Sequence, residues 1–174
     1  LLILVLIVGC KKNEENFGNS SHEFSLTHNG INREFLVFTP STYNSAYEFP
    51  VVLNFHGFGG TINDYALYAS MQTIAETEGF ILVYPQGSLM NGYSHWNPSL
   101  PGPTNKSNAD DFGFIEALIQ QLSNDYSIDS EKIYACGYSN GGMMSFGLAN
   151  HKSNLIAAVA SVSGAMLETD NSPN

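Results

Sequence analysis

The feature that most constrains this chain is a five-residue string, Gly137-Tyr138-Ser139-Asn140-Gly141, placed between two segments of opposite period. Before it stands Lys132-Ile133-Tyr134-Ala135-Cys136, apolar enough for a buried strand; after it Gly142-Met143-Met144-Ser145-Phe146 reads as the start of a helix reaching to about Asn150. A G-x-S-x-G sequence at a strand-to-helix corner forces the serine onto a sharp, strained turn. The flanking glycines, Gly137 and Gly141, give neighbouring backbone room to approach. The turn lifts the Ser139 hydroxyl to the carboxyl edge of a sheet, and the helix N-terminus aims its N–H dipoles at any negative charge that develops there. An ordinary glycine-rich turn would share the composition but not the strand and helix on either side.

The rest of the chain supplies the sheet that such a corner needs. Phe24 to His28 and Arg33 to Phe38 flank Asn29-Gly30, the strongest short hairpin signal, because both turn residues take positive φ. An antiparallel hairpin therefore opens the domain. Val51 to Phe55 and Phe80 to Tyr84 read as buried strands, with a helix between them carrying Met71, Ile74 and Ala75 and stopped by Gly79. Residues 86–108 form a long loop of the kind that carries function. Asn108 or Asp110 caps a helix whose core face is Phe112, Ile115, Leu118 or Ile119, and Leu122, with Asp110 and Asp111 both expected to favour its N-terminus. Ile156 to Val162 is a further strand. Strands alternating with helices predict an α/β fold: a mainly parallel sheet with helices on both faces.

A second glycine-rich segment, Phe55-His56-Gly57-Phe58-Gly59-Gly60, follows the strand ending at Phe55. In folds with a strained nucleophile corner, this strand end places one half of an oxyanion hole. The backbone N–H groups of Phe58 and Asn140 would then face the oxyanion, with His56 and Gly57 shaping the turn. A phosphate-cradling loop is the competing reading, and it lacks the lysine that a P-loop requires. Taken together, Val51 to Gly60, Val83-Tyr84-Pro85-Gln86-Gly87, Ala109 to Ile115 and Gly137 to Met144 resemble the esterase family of polyhydroxybutyrate depolymerases and feruloyl esterases, over about Arg33 to Gly164.

That resemblance implies an α/β-hydrolase fold, Ser139 attacking an ester carbonyl, and Phe58 and Asn140 stabilising the oxyanion. The substrates it implies are esters of plant polysaccharide or polyester, with no cofactor and no metal. It also brings Trp96 near the cleft, where it either walls an acyl or aromatic pocket or anchors the loop on the core. A hydrolase scaffold turned to binding glycan without catalysis is the alternative, since fold does not fix function. In the family the serine is followed by Asp or Glu and then His, and the only later histidine is His151, roughly 18 Å along the helix. Glu168 and Asp170 come before the family's acid is due. The chain is therefore expected to be cut before its triad acid and histidine, and to be inactive or nearly so as it stands.

The N-terminal end carries a different signal. Leu1 to Val8 is apolar but far short of a span, and Ile7-Val8-Gly9-Cys10 resembles the lipobox of bacterial lipoproteins. This implies an incomplete signal peptide at 1–9 and a lipid-bearing Cys10 on a polar tether at 10–23. The hydrolase domain then occupies 24–174, exported and held at the bacterial outer membrane or cell surface by the lipid alone. Lys11, rather than Asp, argues against inner-membrane retention. The net charge of −10 disfavours nucleic acid and anionic headgroups as partners. With Cys10 lipidated, Cys136 has no partner and is expected to be a small core residue.

Overall fold

The computed structural model describes residues 21–102 and 105–167. Cys10 and the signal and tether segments before residue 21 lie outside that range, as do Glu168 and Asp170. Among the described residues, β1 (Ser21–His28) and β2 (Ile31–Phe38) pair antiparallel about Asn29-Gly30, whose φ angles are 50° and 77°. Positive φ at both positions is the geometry that matches the twist of a tight hairpin, so the Asn-Gly signal is realised as read. The strand starts at Ser21, three residues earlier than the polar-to-apolar boundary suggests. Ser21, His22 and Glu23 pair with Phe38, Val37 and Leu36, and backbone ladder bonds do not depend on side-chain polarity.

The chain continues through β3 (Phe49–Phe55), α1 (Ile62–Tyr68), α2 (Gln72–Glu78), β4 (Ile81–Pro85), β5 (Ser88–Met90), β6 (Tyr93–His95), α3 (Asp111–Asp125), β7 (Ile128–Tyr138), α4 (Asn140–His151) and β8 (Ala158–Val162). The six-stranded sheet has the order β1-β2-β4-β3-β7-β8, with β4, β3, β7 and β8 parallel. Period-2 alternation divides the side chains between two cores. Phe35, Val37, Ile81 and Val83 face α3 and α4, joined by Phe112, Ile115, Leu118, Met144 and Leu148. Leu36, Phe38, Leu82 and Tyr84 face the other way, onto Ile62, Tyr65 and Ala66 of α1 and Ala75 of α2. Helices thus cover both faces, as the alternation of elements predicts.

Two elements differ from expectation. The helix expected around Met71 is a pair of short helices, because Thr61 caps an additional one by accepting a hydrogen bond from the Asp64 N–H (3.1 Å). The long loop at 86–108 contains a second hairpin, β5–β6, turning on Asn91-Gly92 with φ of 52° and 83°. At the far side of the sheet β8 is the edge strand among the described residues, and Val162 is 61% exposed.

The parallel strands end together, so Phe55, Tyr138 and Val162 bring their following turns to one edge. Close approach there depends on glycine. A Cβ on Gly141 would collide with the carbonyl oxygens of Phe55 and His56, and one on Gly137 with the backbone of Gly141. Because backbone rather than a flexible side chain stands in the way, Gly141→Ala is expected to destabilise the fold by more than about 3 kcal/mol. Urea denaturation followed by circular dichroism would check it.

Candidate active site

Ser139 leaves β7 with φ 53° and ψ −116°, a conformation that L-residues rarely adopt, and it is partly accessible to solvent. Strain of this kind costs about 1–3 kcal/mol and persists only where the surroundings impose it. Here the constraints are visible. The Ser139 N–H donates to the Val162 carbonyl at the end of β8 (2.8 Å), and the Ser139 carbonyl accepts from the Met143 N–H in the first turn of α4 (3.0 Å). The hydroxyl therefore sits at a corner fixed from both the sheet and the helix.

The His56–Gly60 turn is packed against this corner. A Cβ placed on Gly57 would lie 3.5 Å from the Ser139 Cβ and 3.2 Å from the Tyr138 ring. Phe58, the next residue, and Asn140, the first residue of α4, thus lie on adjoining turns. As the first residue of a helix, Asn140 has no carbonyl a turn earlier to accept its N–H. Tyr138 is 41% exposed and flanks Gly57 at the surface.

Asn140 itself is buried, and its side-chain amide makes a pair of hydrogen bonds with the backbone of one residue. Its Oδ1 accepts from the Trp96 N–H (2.8 Å) and its Nδ2 donates to the Trp96 carbonyl (3.0 Å). Trp96 is fully buried, stands edge-on to Phe55, and donates its indole N–H to the His56 carbonyl (3.0 Å). Of the two readings left open, the pocket wall is therefore corrected to the anchor. A ring with no exposed surface touches no substrate; the residue holds the His56 turn through its indole and the start of α4 through its backbone, so both candidate oxyanion turns hang from one tryptophan.

His56 is likewise a scaffold residue. Its Nε2 accepts from the Gly87 N–H (2.9 Å) and from Gln86 Nε2 (3.0 Å), which places the proton on Nδ1, where it is donated to the Gly57 carbonyl (2.7 Å). Burial, opposed by the Gly57 bond and aided by the Arg33 charge, lowers its pKa to about 4. An unfolded chain protonates this ring near 6.5 while the native one stays neutral, so stability falls as pH drops from 6.5 towards 4. The loss across that window is expected to total about 3 kcal/mol, from the 6.5-to-4 difference. His56→Gln would flatten that part of a stability-against-pH curve, measurable by urea titration at each pH.

Beneath these turns runs a network that sequence reasoning missed. Arg33 of β2 pairs with Asp111 of α3 at 2.7 Å, both buried, and also donates to the Gln86 carbonyl (3.1 Å). The other Asp111 oxygen accepts from the Asn97 N–H (2.8 Å). Asp110 alone caps α3, accepting from the Gly113 N–H (2.9 Å) while meeting His28 at 2.9 Å. The adjacent carboxylates, expected to share one role, are thus divided. Burial raises the Asp111 carboxyl, and the guanidinium, the Asn97 amide and the nearby His95 only partly offset it. The guanidinium lies 3.9 Å over the Phe114 ring and 5.8 Å from Trp96. An arginine in phase with Phe35 and Val37, on the core-facing side of the strand, was the available signal.

Among the described residues no imidazole hydrogen-bonds the Ser139 hydroxyl. His95 is buried between the Ser88 carbonyl (2.9 Å) and the Ser107 hydroxyl (2.8 Å), and His151 sits at the far end of α4 against Phe112. The Cys136 thiol, raised by burial to about 11, is not a competing nucleophile at neutral pH. The described residues contain no cluster of His, Cys, Asp and Glu able to hold a metal ion.

A mainly parallel sheet with helices on both faces and a strained serine at a strand-to-helix corner defines the class, the α/β-hydrolase fold. Solved structures agree. An S-formylglutathione hydrolase from Agrobacterium tumefaciens superposes with a TM-score of 0.69 at 16% identity, covering 88% of this chain and 61% of that one. An acetyl xylan esterase from Aspergillus awamori gives 0.65 at 24% identity, covering 87% and 58%. The sequence profile of the family described as "Putative esterase" matches residues 28–173, and the chain belongs to this esterase family. Among curated relatives, a bifunctional acetylxylan esterase/xylanase of Neocallimastix patriciarum is 33% identical over 78% of this chain and 18% of its own length. Feruloyl esterase D of Neurospora crassa is 27% identical over 80% and 48%. The chain spans less than two thirds of each of these proteins.

Proposed function

We propose that this chain is the nucleophile-bearing part of a serine carboxylic ester hydrolase acting on feruloyl or acetyl esters of plant polysaccharide. The observation that carries the reading is the Ser139 backbone at φ 53°, held against Gly57 at the carboxyl edge of the sheet. A non-catalytic glycan binder has no use for a strained serine, which costs stability and gains it nothing.

In this reading the Ser139 hydroxyl gives its proton to a histidine as its oxygen attacks the ester carbonyl carbon. The carbonyl oxygen gains the charge and is met by the N–H groups of Phe58 and Asn140, a pair whose individual loss typically costs about 10²–10³ in rate. The tetrahedral intermediate collapses, the alcohol leaves with the histidine's proton, and water then hydrolyses the acyl-serine. The histidine and its carboxylate partner come from sequence outside the described residues, and the β8 edge is where further strands would carry them in. Export on the Leu1–Val8 segment and anchoring through an acylated Cys10 belong to the same reading. They would hold the enzyme against an insoluble polymer.

The test is turnover by the full-length protein of methyl ferulate, p-nitrophenyl acetate and a peptide amide side by side. Hydrolysis of the two esters with the amide untouched supports the proposal. Absence of ester hydrolysis alongside glycan binding would replace it.

A further inference from the structure

Resting on that reading, we infer that Phe58, Tyr93 and Lys106 form a docking platform for a sugar chain that carries carboxylate groups. The three side chains meet beside the oxyanion turn. The Phe58 and Tyr93 rings stack at 5.8 Å and 21°, yet remain 47% and 60% exposed. The Lys106 ammonium stands 4.6 Å from the Phe58 ring centroid. Rings of this size, left half in water next to a reacting centre, offer flat apolar faces to the C–H faces of a pyranose.

The charge is the second observation. Of the four basic side chains among the described residues, Arg33, Lys132 and Lys152 each pair with a carboxylate, at 2.7, 2.8 and 2.7 Å. Lys106 alone has no carboxylate partner among them and rests on an aromatic face instead. In a chain of net charge −10 an exposed cation on the Phe58 ring of the candidate oxyanion turn is a localised attraction for an anion. An exposed cation–π contact is worth only about 0.5–1 kcal/mol, so the ammonium can exchange the ring for a carboxylate and free the Phe58 face.

The platform is held in place and opens onto space. The Gly59 N–H donates to the Ser94 carbonyl (2.8 Å), and the Ser94 hydroxyl donates to the Gly60 carbonyl, so the β5–β6 hairpin is clamped to the oxyanion turn. The immediate neighbours of the three residues, Gly59, Gly92, Ser94 and Ser107, line a cavity of about 690 Å³ whose wall also includes Asn32 and Gln86. A chain stacked on the rings can run on into that groove, whose wall is mainly apolar and also carries Glu34, with its carboxylate side group kept at Lys106. The platform would read the alcohol side of the ester, leaving the acyl group to other surfaces.

The experiment uses the full-length protein with Tyr93→Ala, Lys106→Ala and Lys106→Arg, and two binding probes of equal length: a glucuronic-acid-substituted xylo-oligosaccharide and the unsubstituted one. Calorimetry on each variant in a Ser139→Ala background measures binding independently of turnover. Tyr93→Ala is expected to weaken both probes about three- to tenfold. Lys106→Ala is expected to weaken only the acidic one, about fivefold, with Lys106→Arg restoring it and 0.5 M salt removing the difference. Turnover of p-nitrophenyl acetate stays unchanged in both alanine variants. Equal affinity for the two probes in the parent, or no response to Lys106→Ala, overturns the inference. So does a rise in KM for methyl ferulate in Tyr93→Ala, which would reassign the rings to the acyl group. Loss of p-nitrophenyl acetate turnover in the parent instead refutes the esterase reading, while the calorimetry still decides the platform.

Discussion

Ser139→Ala in the full-length protein is expected to lower kcat on any ester substrate by at least about 10⁴-fold while leaving the fold intact. The size of the effect follows from the role: without the hydroxyl there is no acyl-enzyme, and only the binding and oxyanion contributions remain. A second variant separates chemistry from conformation. Alanine keeps a Cβ and therefore keeps the strain of φ 53° and ψ −116°, whereas glycine releases it. Ser139→Gly should be as inactive as Ser139→Ala but more stable than it by about 1 kcal/mol, the strain released less the entropy glycine adds to the unfolded chain. Chemical denaturation of the two variants side by side measures that difference. Equal stabilities would mean the corner is not strained by the serine's own backbone.

The second large effect lies below the site. Arg33→Met leaves the Asp111 carboxylate buried, with the Asn97 N–H as its remaining hydrogen-bond partner. Breaking a buried pair from one side costs about 3–5 kcal/mol, because the remaining charge keeps its desolvation penalty and loses its compensation. Arg33→Met with Asp111→Leu is expected to recover a large part of that loss, since two apolar groups leave no buried charge behind. The recovery will be incomplete, as the Asn97 N–H and the Gln86 carbonyl each lose a partner. Urea midpoints for the two single variants and the double variant give the coupling directly.

These residues also mark how far the sequence could be read. The hairpin at Asn29-Gly30, the parallel strands and the corner at Ser139 each follow from local signals, which is why they emerge from the chain alone. What stayed hidden is long-range pairing. Nothing near Trp96 says that its backbone seats the Asn140 amide 44 residues later, or that its indole holds the His56 carbonyl. Arg33 and Asp111, separated by 78 residues, become partners only once β2 and α3 are packed. The β5–β6 hairpin is a different case. Its Asn91-Gly92 turn carries the same signal as the first, but each strand is three residues long, too short for alternation to register.

The central claim, that Ser139 is an activated nucleophile, is tested most directly by treating the full-length protein with a fluorophosphonate probe and locating the adduct by peptide mass spectrometry. The account predicts a single adduct on the peptide containing Ser139, lost in Ser139→Ala and unaffected by Lys106→Ala. An unlabelled protein, or a label on another serine that persists in Ser139→Ala, would contradict it.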